Sequence, residues 1–344
     1  MSVRAQKMRS MAGVLVVAML SFLLCVSEAH AAPTVARTAG QDRYETSKNV
    51  VLDAFTASDW AVVCTGESFA DALSAAGLAG TLRCPLVLTK GGKLSEHAAA
   101  TLKSLGVKQV YLMGGDAAIS DAVAQELASL GIKTIRVAGP DRYATAIEAL
   151  ATARAAGSTS RTLIICSGVS FPDALSIGPW AFRSQSPVLL VGADGRLPQS
   201  SVDAVLTDPV GFDRVIIVGG TAVVSDAVRG QLGEGLTFVR LAGPDRYATS
   251  VAVAEWATSE GLGWAHPAVV SGTSFSDALS AAPAFGLKGS PVLLASDKAL
   301  DLLARKASSI SSVTVVGGPA AVSDAQRSAI VGALGGHTGC GHVL

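Results

Sequence analysis

The residues best equipped for chemistry recur. Asp42-Arg43-Tyr44 returns as Asp141-Arg142-Tyr143 and as Asp245-Arg246-Tyr247, each preceded by Ala-Gly and one further residue. Ser68-Phe69-Ala70-Asp71 returns as Ser170-Phe171-Pro172-Asp173 and as Ser274-Phe275-Ser276-Asp277, always continuing Ala-Leu-Ser. A guanidinium is a planar fork that can hold a phosphate or carboxylate through two hydrogen bonds. Arg43, Arg142 and Arg246 are therefore candidate anion contacts. Ser68, Ser170 and Ser274 and the carboxylates of Asp71, Asp173 and Asp277 stand beside them as polar partners. The structural alternative is that the arginines pair within their own repeats, Arg43 with Asp71, Arg142 with Asp173 and Arg246 with Asp277. The serine, at a helix start, would then only cap a backbone amide.

Other chemistries fit less well. A serine nucleophile at a strand-to-helix elbow needs a second glycine after the serine, where this chain has Phe69, Phe171 and Phe275. It also needs a positioned base, and His30, His97, His266, His337 and His342 do not recur at equivalent places. The turns Gly114-Gly115, Gly219-Gly220 and Gly317-Gly318 lead to Ser-Asp and a helix, but lack the rest of a dinucleotide or phosphate-loop fingerprint. No Cys or His pair has ligand spacing, so neither a metal nor a cofactor is expected. An acid and base pair for glycan cleavage, with Asp173 and Asp277 in the roles, would need the carboxylates about 5–9.5 Å apart across a cleft.

These motifs must be positioned by one unit written three times at a period of about 100 residues, the size of a small domain rather than of a solenoid repeat. A further recurring block is Pro85-Leu86-Val87-Leu88, with Pro187-Val188-Leu189-Leu190 and Pro291-Val292-Leu293-Leu294. Short apolar runs alternate with segments of helical period, which predicts α/β units built on parallel sheets with helices on both faces. In the first unit, strands are expected near 60–64, 85–88, 109–113 and 132–137, and helices over 42–55, 69–82, 95–105 and 120–130. The expected domains are 32–133, 134–236 and 237–336, with a short tail at 337–344. With no polar linker between them, the units should pack as one body. Cys64 and Cys84 would lie at opposite ends of a sheet, too far apart to bond.

The chain balances 27 Lys and Arg against 27 Asp and Glu, with 49% hydrophobic residues. That composition supplies a large core and argues against a nucleic-acid partner, whose phosphates demand clustered positive charge. Arg4, Lys7 and Arg9, the apolar run from Met11 to Val26 and Ala29-His30-Ala31 have the form of a secretory signal peptide over residues 1–31. The alternatives are a retained membrane anchor, for which the run is short, and a lipoprotein signal on Cys25, for which Leu24 is the wrong neighbour. Export would permit disulfides, yet buried, unpaired cysteine is the expectation for Cys64, Cys84 and Cys166. The state of Cys340 is left open.

Taken together, Ala-Gly-x-Asp-Arg-Tyr-x-Thr (with Thr46, Thr145 and Thr249), Ser-Phe-x-Asp-Ala-Leu-Ser, the Pro-led strand and the Gly-Gly turn resemble the cell wall binding repeat 2 family of Gram-positive surface proteins. The likeness covers residues 35–336. It implies Rossmann-like modules arranged about a pseudo-threefold axis, acting as a noncovalent anchor to an anionic secondary cell-wall polymer. It also implies that the strands opening at Pro85, Pro187 and Pro291 take part in attachment. The first copy departs mildly there, and Gln41 replaces the proline of Pro140 and Pro244. Family members carry an appended enzyme or adhesin. Only eight residues follow Gly336, so the expectation is a secreted, wall-associated, noncatalytic binder with no membrane partner when mature. A glycan hydrolase, a modulator of a wall enzyme and a surface-layer component are the alternatives.

Overall fold

A computed structural model describes residues 33–335. The expected signal peptide, the 337–344 tail and Cys340 lie outside the described residues. Among the described residues, twelve strands build three four-stranded sheets, every pairing parallel. The first sheet has the order β3-β2-β4-β5, from β2 (Trp60–Thr65), β3 (Leu86–Thr89), β4 (Gln109–Met113) and β5 (Lys133–Val137). The second repeats it as β7-β6-β8-β9, from β6 (Thr162–Ser167), β7 (Val188–Val191), β8 (Arg214–Val218) and β9 (Thr237–Leu241). The inner strands β2, β6 and β8 are buried along nearly their whole length because helices cover both faces, which is why they read as unbroken apolar runs, whereas the edge strands β5 and β9 are half exposed.

The third sheet contains β10 (Ala268–Val270), β11 (Val292–Leu294) and β12 (Ser312–Val316), and its fourth strand comes from the other end of the chain. β1 (Thr34–Thr38) pairs with β12 in register Thr34↔Ser312 through Thr38↔Val316. The sequence unit 32–133 therefore begins with a strand that belongs to the third sheet, and its expected end falls at the start of β5. Arg327 on the last helix donates to the Val35 carbonyl at 3.0 Å, fastening the same closure.

Around the pseudo-threefold axis stand three central helices, Ala75–Leu82, Pro172–Ser184 and Ser276–Leu287, packed on one another. Each also packs on the leading helix of the next repeat: Ala75–Leu82 on Arg142–Ala155, Pro172–Ser184 on Arg246–Ser259, and Ser276–Leu287 on Arg43–Ala54. The packing is close because the contacts are small. A Cβ on Gly80 would sit 2.1 Å from the Phe182 carbonyl oxygen, one on Gly178 would meet the Ala282 Cβ at 2.5 Å, and one on Gly286 the Pro179 oxygen at 2.7 Å. Phe55 meets Phe182 edge-on at 6.5 Å, so aromatic contact also crosses a repeat boundary. One continuous apolar core joins the first two repeats and much of the third.

The expected elements of the first unit are present, with one difference. The segment expected as a single helix over 69–82 turns first as a 3-10 helix, Ala72–Ser74, before the α-helix Ala75–Leu82. Cys64, Cys84 and Cys166 are buried and unpaired. Because Gly178 faces a buried side chain with no room to move, Gly178→Val should destabilise the protein by about 1–3 kcal/mol through overpacking. Thermal unfolding would show this as a lowered midpoint, and an unchanged midpoint would mean the axis is more loosely packed than the geometry indicates.

Candidate functional site

Each leading helix is started by the aspartate of its Asp-Arg-Tyr motif. Asp42 accepts from the Tyr44 and Glu45 amides, Asp141 from those of Tyr143 and Ala144, and Asp245 from that of Ala248. Thr46, Thr145 and Thr249 fold back to accept from the amides of Gly40, Gly139 and Gly243 at 3.0, 3.2 and 3.1 Å. These caps fix the arginine and tyrosine in the first helical turn. The tyrosine rings lie on Gly66, Gly168 and Gly272, where a Cβ would approach ring carbons within 2.4–2.8 Å, so only glycine fits.

The carboxyl ends of β2, β6 and β10 and the starts of the central helices converge on the axis. There Phe69, Phe171 and Phe275 form a closed triangle with ring centroids 5.3, 5.7 and 5.8 Å apart. The three arginines surround it. Arg43 donates Nη1 to the Gly66 carbonyl and Arg142 does the same to Gly168, while Arg246 reaches Gly272 at 2.9 Å. Their charge is directed at the neighbouring repeat: Arg43 lies over Phe275 at 5.9 Å and Arg142 over Phe69 at 5.8 Å, geometries suited to cation–π attraction.

The expected pairs Arg43–Asp71, Arg142–Asp173 and Arg246–Asp277 do not form among the described residues. Each leading helix packs on the central helix of another repeat, so its arginine points across the boundary. Arg43 acts on Asp277 and Arg246 on Asp173. Neither carboxylate gains enough to offset its desolvation. Burial raises Asp277 to about 6 against the pull of Arg43, and raises Asp173 against the pull of Arg246.

The serines also differ from expectation as helix caps. The central helices begin without a side-chain cap at Asp71, Phe171 or Phe275. The loop amides are held instead from the strand ends: Thr65 Oγ1 accepts from Glu67, Ser167 Oγ from Val169 and Ser170, and Ser271 Oγ from Thr273 and Ser274. Ser68 accepts only from the Ala70 amide at 3.3 Å, and Ser274 shares a contact with Ser276. Arginine, serine and aspartate are thus brought together on one face. Pro85, Pro187 and Pro291 are not among them. They are buried at the opposite, amino ends of their strands, where a neighbouring central helix covers them, with Gly77 close against Ser186 and Pro187.

Two other sets were missed. Arg37, Arg136 and Arg240 bond the Gly317, Gly114 and Gly219 carbonyls and the carboxylates of Asp324, Asp121 and Asp226, tying each Gly-Gly turn to its strand. Their recurrence just before Ala-Gly was the available signal. Asp42, Tyr44, Lys90, Lys93, Glu96 and His97 line a polar cavity of about 260 Å³ at the head of the first leading helix, with Lys90 5.9 Å over the Tyr44 ring. Burial and the neighbouring Glu67 carboxylate raise the Tyr44 phenol to about 12. Arg196 and Lys298 follow β7 and β11 as Lys90 and Lys93 follow β3, which marks this position in the sequence too.

The Gly-Gly turns do not present an open phosphate cradle. The carboxylate oxygens of Asp71, Asp173 and Asp277 lie 2.5, 2.9 and 2.4 Å from where a Cβ on Gly114, Gly219 and Gly317 would be. The glycines make room for a carboxylate, and its charge opposes an anion there. Burial also raises the Cys64 and Cys166 thiols well above their ordinary range, which keeps them protonated.

The fold and this face define a tandem-repeat α/β protein whose polar residues gather at the carboxyl ends of parallel sheets, where open α/β folds bind ligands. The family model described as Cell wall binding domain 2 (CWB2) matches residues 37–124, 136–229 and 240–327, and the chain belongs to that family. It is 30% identical to the N-acetylmuramoyl-L-alanine amidase LytC of Bacillus subtilis over 92% of this chain and 62% of LytC. It is 25% identical to the amidase enhancer of the same organism over 75% of this chain and 34% of that one. The chain thus spans less than two thirds of either curated relative. Among solved structures, it resembles Cwp6 from Clostridium difficile with TM-score 0.78 and 22% identity, covering 88% of this chain and 48% of that one. Cwp8 from the same organism gives TM-score 0.77 and 21% identity over 89% and 52%.

The carboxylates on this face make stability depend on pH in a definite direction. Asp277 titrates near 6 when folded, above its ordinary 3.8, so between those values the folded protein keeps a proton that the unfolded chain has released. Stability should therefore fall as pH rises through that window, with the cost fully present above it. Asp277→Asn should raise the melting temperature by a few degrees at pH 7.5 and change it little below pH 4. An equal difference at both pH values would refute the assignment.

Proposed function

We propose that the chain is a noncatalytic, wall-associated anchor that holds an anionic secondary cell-wall polymer on the face around Phe69, Phe171 and Phe275. The observation that carries this reading is the crossed arrangement of arginines and aspartates. Arg43, Arg142 and Arg246 each spend one Nη1 on a local carbonyl and keep further donors for an anionic group. Asp71, Asp173 and Asp277 are acceptors suited to sugar hydroxyls, and Ser68, Ser170 and Ser274 add polar contacts that can donate or accept. A polymer of repeating anionic sugars offers both kinds of group. Three clefts in one rigid body then add their affinities along one strand. Export through residues 1–31 and the domain limits 32–133, 134–236 and 237–336 belong to the same proposal. Pro85, Pro187 and Pro291 support attachment through packing beneath the neighbouring repeats.

The arrangement supports binding rather than hydrolysis: Asp277 faces Arg43 and Asp173 faces Arg246, so the two carboxyls sit against arginines of different repeats instead of forming one acid–base pair. A second reading, modulation of a wall amidase made elsewhere, is favoured by the names of the two curated relatives. It is compatible with anchoring.

Cosedimentation of the exported chain with cell-wall sacculi, before and after acid extraction of secondary polymers, tests the proposal. Retention should be lost on extraction. Each of Arg43→Ala, Arg142→Ala and Arg246→Ala should weaken it about tenfold, the scale of one charged hydrogen bond, with melting temperature confirming the fold. Retention that survives extraction would point to peptidoglycan and overturn the polymer assignment.

A further inference from the structure

The central helices end at the pole opposite the arginine face, and there the three repeats enclose a second polar cavity of about 290 Å³. It is lined by Gly80 and Arg83 of the first repeat, Phe182, Arg183 and Gln185 of the second and Leu287 of the third. Arg83 and Arg183 are exposed, and neither has a carboxylate partner among the described residues. The nearby Lys288 is engaged with Asp53 at 2.6 Å.

Two features argue that these side chains are not merely helix caps. Arg83 and Gln185 hold left-handed backbone, at φ 51 and 56, and are the only non-glycine residues that do so among the described residues. The third repeat has Gly289 at that place, two residues before the proline, at φ 66, so the conformation itself asks only for glycine. A long polar side chain there is disfavoured by the backbone and gains nothing from the cap. The last-turn carbonyls are already met by backbone: the Arg83 amide bonds Ala79 and Gly80, and the Gln185 amide bonds Ala181 and Phe182. The guanidiniums are left to face the cavity.

We propose that this pole is a second ligand site, for a phosphate-bearing group held by Arg83 and Arg183 with the Gln185 amide as a neutral donor. Two guanidiniums supplied by different repeats suit a group with several anionic oxygens, which both forks can engage at once. The site shares no residue with the arginine face and does not depend on the function assigned there.

The third repeat supplies fold-preserving replacements, since Gly289 and Leu287 stand where Arg83 and Arg183 do. The double variant Arg83→Gly/Arg183→Leu should melt no lower than the parent. In calorimetric titration of the exported chain with inorganic pyrophosphate and with glycerol phosphate, the parent should show saturable binding of one of them. The double variant should lose it at least tenfold, while Arg43→Ala/Arg142→Ala/Arg246→Ala retains it. No saturable binding of either probe, or equal binding by the double variant, would overturn the proposal. Sacculus retention then identifies the source. Retention weakened in the double variant makes the phosphate one borne by the wall, and retention unchanged while probe binding is lost makes it a soluble or lipid-borne phosphate.

Discussion

The close approach of the three central helices is the constraint on which the rest of the structure depends. Gly77, Gly80, Gly178 and Gly286 sit where a side chain would strike a neighbouring repeat, so the helices can share an axis because glycine stands at these contacts. That approach brings the carboxyl ends of β2, β6 and β10 together and lets Phe69, Phe171 and Phe275 close over the axis. It also decides where the arginines go. A leading helix that packs on another repeat's central helix must deliver its first-turn side chains across the boundary. Arg43 and Arg246 therefore act on carboxyls of other repeats, and the closing strand β1 makes even the third sheet depend on the start of the chain.

The polar face is maintained against its own electrostatic cost. Burial favours the neutral forms of Asp173 and Asp277, and the arginines only partly compensate. The carboxylates nevertheless occupy the strand-to-helix turns, where a dinucleotide fold would keep room for phosphate. A similar chain path thus carries opposite chemistry at its glycines: the turn admits a carboxylate acceptor where a dinucleotide fold admits a phosphate. The outer arginines Arg37, Arg136 and Arg240 contribute differently. Their carboxylate partners are largely exposed, so each pair adds little on its own, and their bonds to the turn carbonyls chiefly fix the glycines that receive those aspartates.

Much of this was legible in the chain because the sequence is its own comparison. A motif present three times at one spacing marks a position where the same physical demand is met three times, and Asp42, Thr46 and Gly66 with their counterparts are such positions. Strands and helices followed from apolar runs and helical period. What periodicity could not show is which repeat a side chain faces. That Arg43 acts on Asp277 rather than pairing with Asp71 depends on the packing of helices far apart in sequence, and translational repetition is silent on rotation about an axis. The same blindness hid the burial of Pro85, Pro187 and Pro291 beneath neighbouring helices. The serine cap failed for a local reason: Thr65, Ser167 and Ser271 reach the loop amides first.

The departures from symmetry carry a different kind of information. Between glycine and serine at the helix start stand Glu67, Val169 and Thr273. Glu67 accepts from the Tyr44 hydroxyl at 3.4 Å, whereas Val169 leaves 53% of its surface exposed. The first repeat also carries the lysine-lined cavity, while in the third Lys298 is bound to Asp245 at 3.0 Å. The fold requires none of these differences, since the same backbone accepts all three versions. Under the proposed anchoring, uniform repeating units would meet three unequal surfaces and engage them with unequal strength. The shared residues are those that build the ring, and the unshared ones give its three sectors different surfaces.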